Sequence, residues 1–172
     1  MEDGNVNAIR LFKTNIELSE PIRVQMIELL NSCLADMADL QTHAKHAHWN
    51  VKGAQFQPLH ELFGEIACHL EQQADDVAER VTALGGVARG TARQVAAASN
   101  LPQYDLDAVT GEEHLRALAK RLALVGGRIR TSVAVAHQLG DDATGDLLTA
   151  IVRQADKDLW FLDAHVQTGV NG

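Results

Sequence analysis

Apolar residues in this chain recur at alternating steps of three and four along four long stretches, and only the middle link between those stretches is long. The first stripe is Ile22, Met26, Leu30, Cys33, Met37 and Leu40, on a helix running to about Trp49. Ser19 precedes it as a predicted N-cap, with Pro21 in the first turn, where a missing N–H costs nothing. The second stripe starts near Pro58, carries Leu59, Leu62, Phe63, Ile66, Leu70, Val77, Val81 and Leu84, and stops at Gly85-Gly86. Thr110 and Glu113 form a capping box ahead of the third, which passes through Leu115, Leu118, Leu122, Val125, Ile129, Val133 and Ala136 to Gly140. Asp141 or Asp142 caps the fourth, with Leu148, Ile151, Ala155, Leu159, Leu162 and Val166 on its stripe. The long link holds a predicted short helix at Thr91–Ala98 and a turn around Pro102.

Helices of roughly 28 residues are about 42 Å long, so short links force antiparallel neighbours and the long link must cross the bundle. One long crossover, carrying a short helix between helices 2 and 3, is the ferritin-like version of an all-α four-helix bundle. The composition agrees: 46% of residues are hydrophobic but only 4% aromatic, which disfavours a β-sandwich. A chain of 172 residues reads as one domain over 19–168 behind a flexible N-terminal tail, 1–18, that shows no sustained period. Cys33 and Cys68 have no CxxC or zinc-finger spacing, and both read as small buried or half-buried side chains in a reducing cytoplasm. The start of the chain lacks a signal-peptide pattern, and no apolar run approaches the ~20 residues of a membrane span.

Ferritin-like di-iron bundles draw on Glu-x-x-His pairs, and this chain contains none. Metal-type ligands are concentrated instead between His48 and Arg80, where His48, His60, Asp75 and Glu79 are separated by twelve, fifteen and four residues. Imidazole and carboxylate are the donors that first-row metals take when no thiolate is offered. Asp75 and Glu79 share one helical face, but His60 and Asp75 are some 22 Å apart along a helix. One chain cannot close both ends around an ion. Two antiparallel copies about a two-fold axis can, with the histidines of one facing the carboxylates of the other. Taken alone, the same residues are interface imidazoles bonded to backbone and solvated surface charges. His43 and His46 share a helix face that His48 does not, and His69 points away from the face of His60.

HAHWNVKGAQFQPLHELF, D-x-x-x-ER-x-x-x-LGG, DLDAVTGEEH and DKDLWFLDAH resemble the Dps proteins (DNA-binding proteins from starved cells) over roughly residues 20–167. The resemblance implies a hollow homododecamer of two-fold dimers. Such a shell is a ferroxidase that oxidises Fe(II) with hydrogen peroxide or oxygen and stores the iron as ferric mineral. It implies His48, His60, Asp75 and Glu79 as the ferroxidase ligands, Trp49 as the family's Trp beside the first of them, and Asp142 and Asp146 as acidic iron-entry pore positions. One position departs. The family pattern has Asp four residues after the second His, and here Gly64 stands there. Losing that charge favours one ion over two, or Zn(II) as a competitor. Trp160 and Phe161 read as core or subunit-contact residues.

Direct DNA binding is not expected. The net charge is −8, and residues 1–18 set Arg10 and Lys13 against Glu2, Asp3 and Glu17, so phosphate gains little there. The alternatives to an iron-oxidising shell are a non-catalytic metal-binding shell and a nucleoid-protecting DNA-binding protein.

Overall fold

The computed structural model describes residues 10–167, which form five helices. They are α1 (Glu20–Asn50), α2 (Phe56–Ala83), α3 (Ala92–Ala98), α4 (Gly111–Gln138) and α5 (Asp142–Val166). The four long ones build the bundle: α1 packs along α2 and α4 along α5, and the two pairs meet through α1–α4 and α2–α5 contacts. Met26, Leu30, Met37, Leu59, Phe63, Ile66, Leu118, Ile129 and Leu148 are almost fully buried, so each stripe faces one shared core. No described helix is long and apolar enough to cross a membrane.

The helix ends refine the sequence expectations. Ser19 occupies the N-cap of α1, yet its side chain makes no capping bond and its carbonyl accepts from Arg23 N instead. The second helix begins two residues earlier than Pro58, behind Gln55. Asp141, not Asp142, caps α5, accepting from Thr144 N at 3.0 Å. The Thr110–Glu113 box is formed at both of its bonds. Backbone N–H groups of Thr110 and Val109 donate to the Glu113 carboxylate and hold its pKa down at about 2. A depressed carboxylate stabilises the fold above its ordinary pKa near 4.5 and loses that contribution as pH falls toward about 2. An NMR titration of the side-chain carboxyl carbons should therefore show Glu113 ionised after the other exposed glutamates have taken up protons.

The crossover is not slack. Asp36, on α1 and buried, accepts from Asn100 N and from Arg128 Nη1, both at 2.8 Å. Asn31 donates to the Val87 carbonyl and accepts from Arg89 N, while Ser99 donates to Asp39. These polar groups, Asn31 and Asp36 buried among them, tie the link to α1.

The N-terminal segment is held as well from residue 10 onward. Phe12 N–H donates to the Gly85 carbonyl at 2.7 Å, and Leu11, Ile16 and Leu18 lie against the core. Gly85 has φ +90°, and a Cβ there would meet the Phe12 carbonyl at 2.3 Å, so glycine is required by both conformation and space. The rest of the expected flexible tail, residues 1–9, and residue 168 lie outside the described residues. Cys33 is buried, as expected, but Cys68 is exposed, because it falls one position off the apolar face of α2. Phe161 packs partly on the core, whereas Trp160 is 60% exposed and belongs to the surface of the single chain.

Candidate metal centre

The short link between α1 and α2 places His48, in the last turn of one helix, against His60, in the early turns of the next. Gly53 turns the chain at φ +110°, and Lys52 N donates to the Val109 carbonyl, which fixes the link to the base of α4. The two imidazoles stack with centroids 3.7 Å apart and planes 20° from parallel. Each is bonded to the backbone of the other: His48 Nδ1 to the His60 carbonyl at 2.6 Å, and His60 Nδ1 to the His48 carbonyl at 2.7 Å. A carbonyl oxygen only accepts, so both Nδ1 atoms carry the hydrogen. In a neutral ring so bonded, the lone pair lies on Nε2. This is the arrangement in which an outer hydrogen bond orients a histidine and raises its strength as a metal ligand. The backbone-bonded reading and the ligand reading thus describe opposite edges of the same rings.

Gly64 lies directly under this pair. A Cβ at position 64 would sit 3.0 Å from His48 Nδ1 and 3.2 Å from its Cε1. The missing side chain is matched by an imidazole pressed onto α2 in its place.

Asp75 and Glu79 are exposed on the continuous α2, one turn apart. The unbroken helix keeps them away from His60 in the same chain. Among the described residues no three His, Cys, Asp or Glu side chains of one chain converge on a point. Asp75 lines an open groove of about 730 Å³ whose walls include Leu34, Ala38, Cys68 and Thr91. Arg80, the nearest basic neighbour in sequence, turns away from both carboxylates. Its Nη2 bonds buried Asp141 at 2.7 Å and its Nε bonds Thr144 Oγ1 at 2.9 Å. Glu79 is thereby left without that cation.

The remaining histidines have other work. His69 Nδ1 lies 3.1 Å from Asp158 on α5, and Gln154 donates to the same carboxylate. Burial pushes the Asp158 carboxyl pKa up, and the His69 and Gln154 partners oppose that shift. His43 and His46 face Tyr104 in the crossover, with ring centroids at 5.2 and 5.1 Å, and His114 bonds the Tyr104 hydroxyl at 2.8 Å. Neither cluster was legible in the sequence: the partners lie as far as 89 residues apart, and local spacing carries no signal for them. At the head of α5, Asp142 and Asp146 are both exposed, and Asp142 accepts from His137 Nδ1 at 2.9 Å.

A family profile described as ferritin-like domain matches residues 27–170. The DNA protection during starvation protein of Agrobacterium fabrum is 39% identical over 159 residues, covering 92% of this chain and 98% of that protein. DpsC from Streptomyces coelicolor superposes with a TM-score of 0.90 at 29% identity, over 97% of this chain and 98% of its own. A Dps protein from Vibrio cholerae O1, described as a member of a broad superfamily of ferritin-like diiron-carboxylate proteins, gives a TM-score of 0.84 at 25% identity. That match covers 94% of this chain and 99% of the other.

Proposed function

We propose, because the chain belongs to the Dps family of ferritin-like proteins, that it takes Fe(II) as substrate, oxidises it between paired subunits and stores the ferric product in a homododecameric shell. The observation that carries this reading is the His48–His60 pair, whose crossed backbone bonds leave two imidazole Nε2 atoms open beside each other. Asp75 and Glu79 of a second copy supply the carboxylates across the two-fold. Their exposure, and the diversion of Arg80 to Asp141, keep both available for a cation.

In the oxidation, two Fe(II) ions give up one electron each and the O–O bond of peroxide takes both and breaks. The two oxygens leave as water after gaining two protons from solvent. No hydroxyl radical is released when both electrons arrive together, and this chemistry is how the protein protects DNA without binding it. Asp142 and Asp146 line the entry pores, where their charge concentrates cations.

Two carboxylates per site balance one divalent ion, so we assign one tightly held ion and a second held weakly at each site. Zn(II), which takes the same imidazole and carboxylate donors, competes for the tight position. Anaerobic Fe(II) titration followed by peroxide tests the reading: one tight ion per subunit and prompt oxidation on mixing are expected. Oxidation no faster than in a His60→Ala, Asp75→Ala double variant would leave a non-catalytic metal-binding shell. The Gly64→Asp variant should raise the number of tightly bound ions per site, while also moving His48 by a few tenths of an ångström to make room for its Cβ. Unchanged stoichiometry in that variant contradicts the charge argument.

A further inference from the structure

Of the two cysteines, Cys33 is buried and Cys68 is exposed in the middle of α2. Free cysteine is among the most buried residue types, so an exposed thiol at the centre of a long packed helix calls for a partner outside the chain. Its place on the helix says which partner. Cys68 stands seven residues before Asp75 and eleven before Glu79, which turns it only about 20° from either carboxylate. The thiol therefore lies on the ligand face of α2, and it lines the same groove as Asp75, beside Glu71 and Gln72.

The pairing of ligands across the two-fold also sets the level at which two copies of α2 meet. With His60 of one copy level with Asp75 of the other, the axis passes midway along the helix, between Ala67 and Cys68. The two Cys68 residues are then offset by one residue, about 1.5 Å along the helices. Packed helix axes about 8–10 Å apart, each with Cα atoms about 2.3 Å off its axis, leave about 3.4–5.4 Å between facing Cα atoms, which with that offset overlaps the about 4.4–6.8 Å that a disulfide spans. His60, Asp75 and Glu79 lie too far from the axis to meet their own copies. Cys68 is the residue of that face that meets itself.

We propose that the Cys68 thiols of two subunits face each other across the two-fold axis and are oxidised by peroxide to an intersubunit disulfide. One Cys68 Sγ attacks a peroxide oxygen, the O–O bond breaks, and the first water leaves with the thiol proton. The sulfenic acid so formed is attacked by the second Cys68 Sγ; the S–O bond breaks and the second water leaves. The sum is two thiols plus hydrogen peroxide giving one disulfide and two waters. A small thiol or dithiol reductant restores the pair by exchange, so in a reducing compartment the link is transient. Peroxide that reaches a pair holding no Fe(II) is thereby consumed, and the two chains that share each metal site are joined. The register rests on the two-subunit reading above, but the chemistry needs no iron.

Peroxide treatment of the metal-free assembled protein, followed by alkylation and electrophoresis without reductant, tests the proposal. Nearly all of the chain should run as a covalent pair, with one peroxide consumed per pair, and dithiothreitol should return it to single chains. Peptide mass spectrometry should find Cys68 joined to Cys68. Cys68→Ser should abolish the link, whereas Cys33→Ser should keep it, since Cys33 is buried against Ser132 and burial pushes its pKa up. The rate should not depend on protein concentration, because the thiols are already paired within the assembly. A rate that rises with concentration marks chance collision between assemblies and overturns the proposal. A short bis-maleimide, which bridges thiols too far apart for a disulfide, separates the remaining failures. Linkage by the maleimide but not by peroxide overturns the disulfide and leaves the two-subunit site standing; linkage by neither overturns the register as well. Failure of Fe(II) to bind sinks the iron reading alone and leaves the metal-free link intact.

Discussion

Replacing His60 with alanine should lower the rate of Fe(II) oxidation by at least 10–100-fold, the range lost when even an outer partner of a metal ligand is removed. The substitution deletes one Nε2 donor outright. It also removes the 2.7 Å bond from His60 Nδ1 to the His48 carbonyl and the stacked ring that holds His48 in place. The fold should survive, because His60 is only half-buried near the start of α2 and the core residues Leu59 and Phe63 on either side keep their packing. Stopped-flow oxidation with peroxide, beside a helical circular-dichroism spectrum, reads both outcomes. His69→Ala is the matched control. Its imidazole is committed to Asp158, and its loss should leave oxidation within about twofold of the native rate, as for surface changes away from the site.

Asp141→Ala should be the most damaging change outside the site. Its carboxylate caps α5 through Thr144 N, accepts from the Thr144 hydroxyl and pairs with Arg80 at 2.7 Å. Asp141 is 2% exposed, and its partner is largely covered as well. Truncating one member of a buried pair strands the other charge, a loss of about 3–5 kcal/mol, and the cap adds ~1 kcal/mol. Urea unfolding should register a loss of that order. A loss under about 1 kcal/mol would mean that solvent reaches the pair and screens it.

The bundle was legible because helical burial is one-dimensional: a stripe at steps of three and four names its own buried face without reference to any partner. The Thr110–Glu113 box and the crossover helix behind Thr91 were legible for the same reason, their bonds spanning three residues. His48 and His60 were legible because a short hairpin holds them together. The rest was not. Arg80–Asp141, His69–Asp158 and Arg128–Asp36 join residues 61, 89 and 92 apart, and their pairing depends on how helices rotate against one another. Gly64 could be seen as a missing acid. Only the folded chain shows the His48 ring seated where that side chain would begin, so that restoring the acid is not a simple addition.

A site shared between two subunits is tested most directly by subunit mixing. His60→Ala and Asp75→Ala chains each form pairs in which every site lacks a ligand. A mixed pair contains one site with both lesions and one site with none. Unfolding the two inactive variants together and refolding them should therefore restore part of the native oxidation rate, while refolding either alone restores nothing. Recovery in the mixture is the expected result; two inactive variants that remain inactive when reassembled together would place the ligands of each site within one chain and contradict the account.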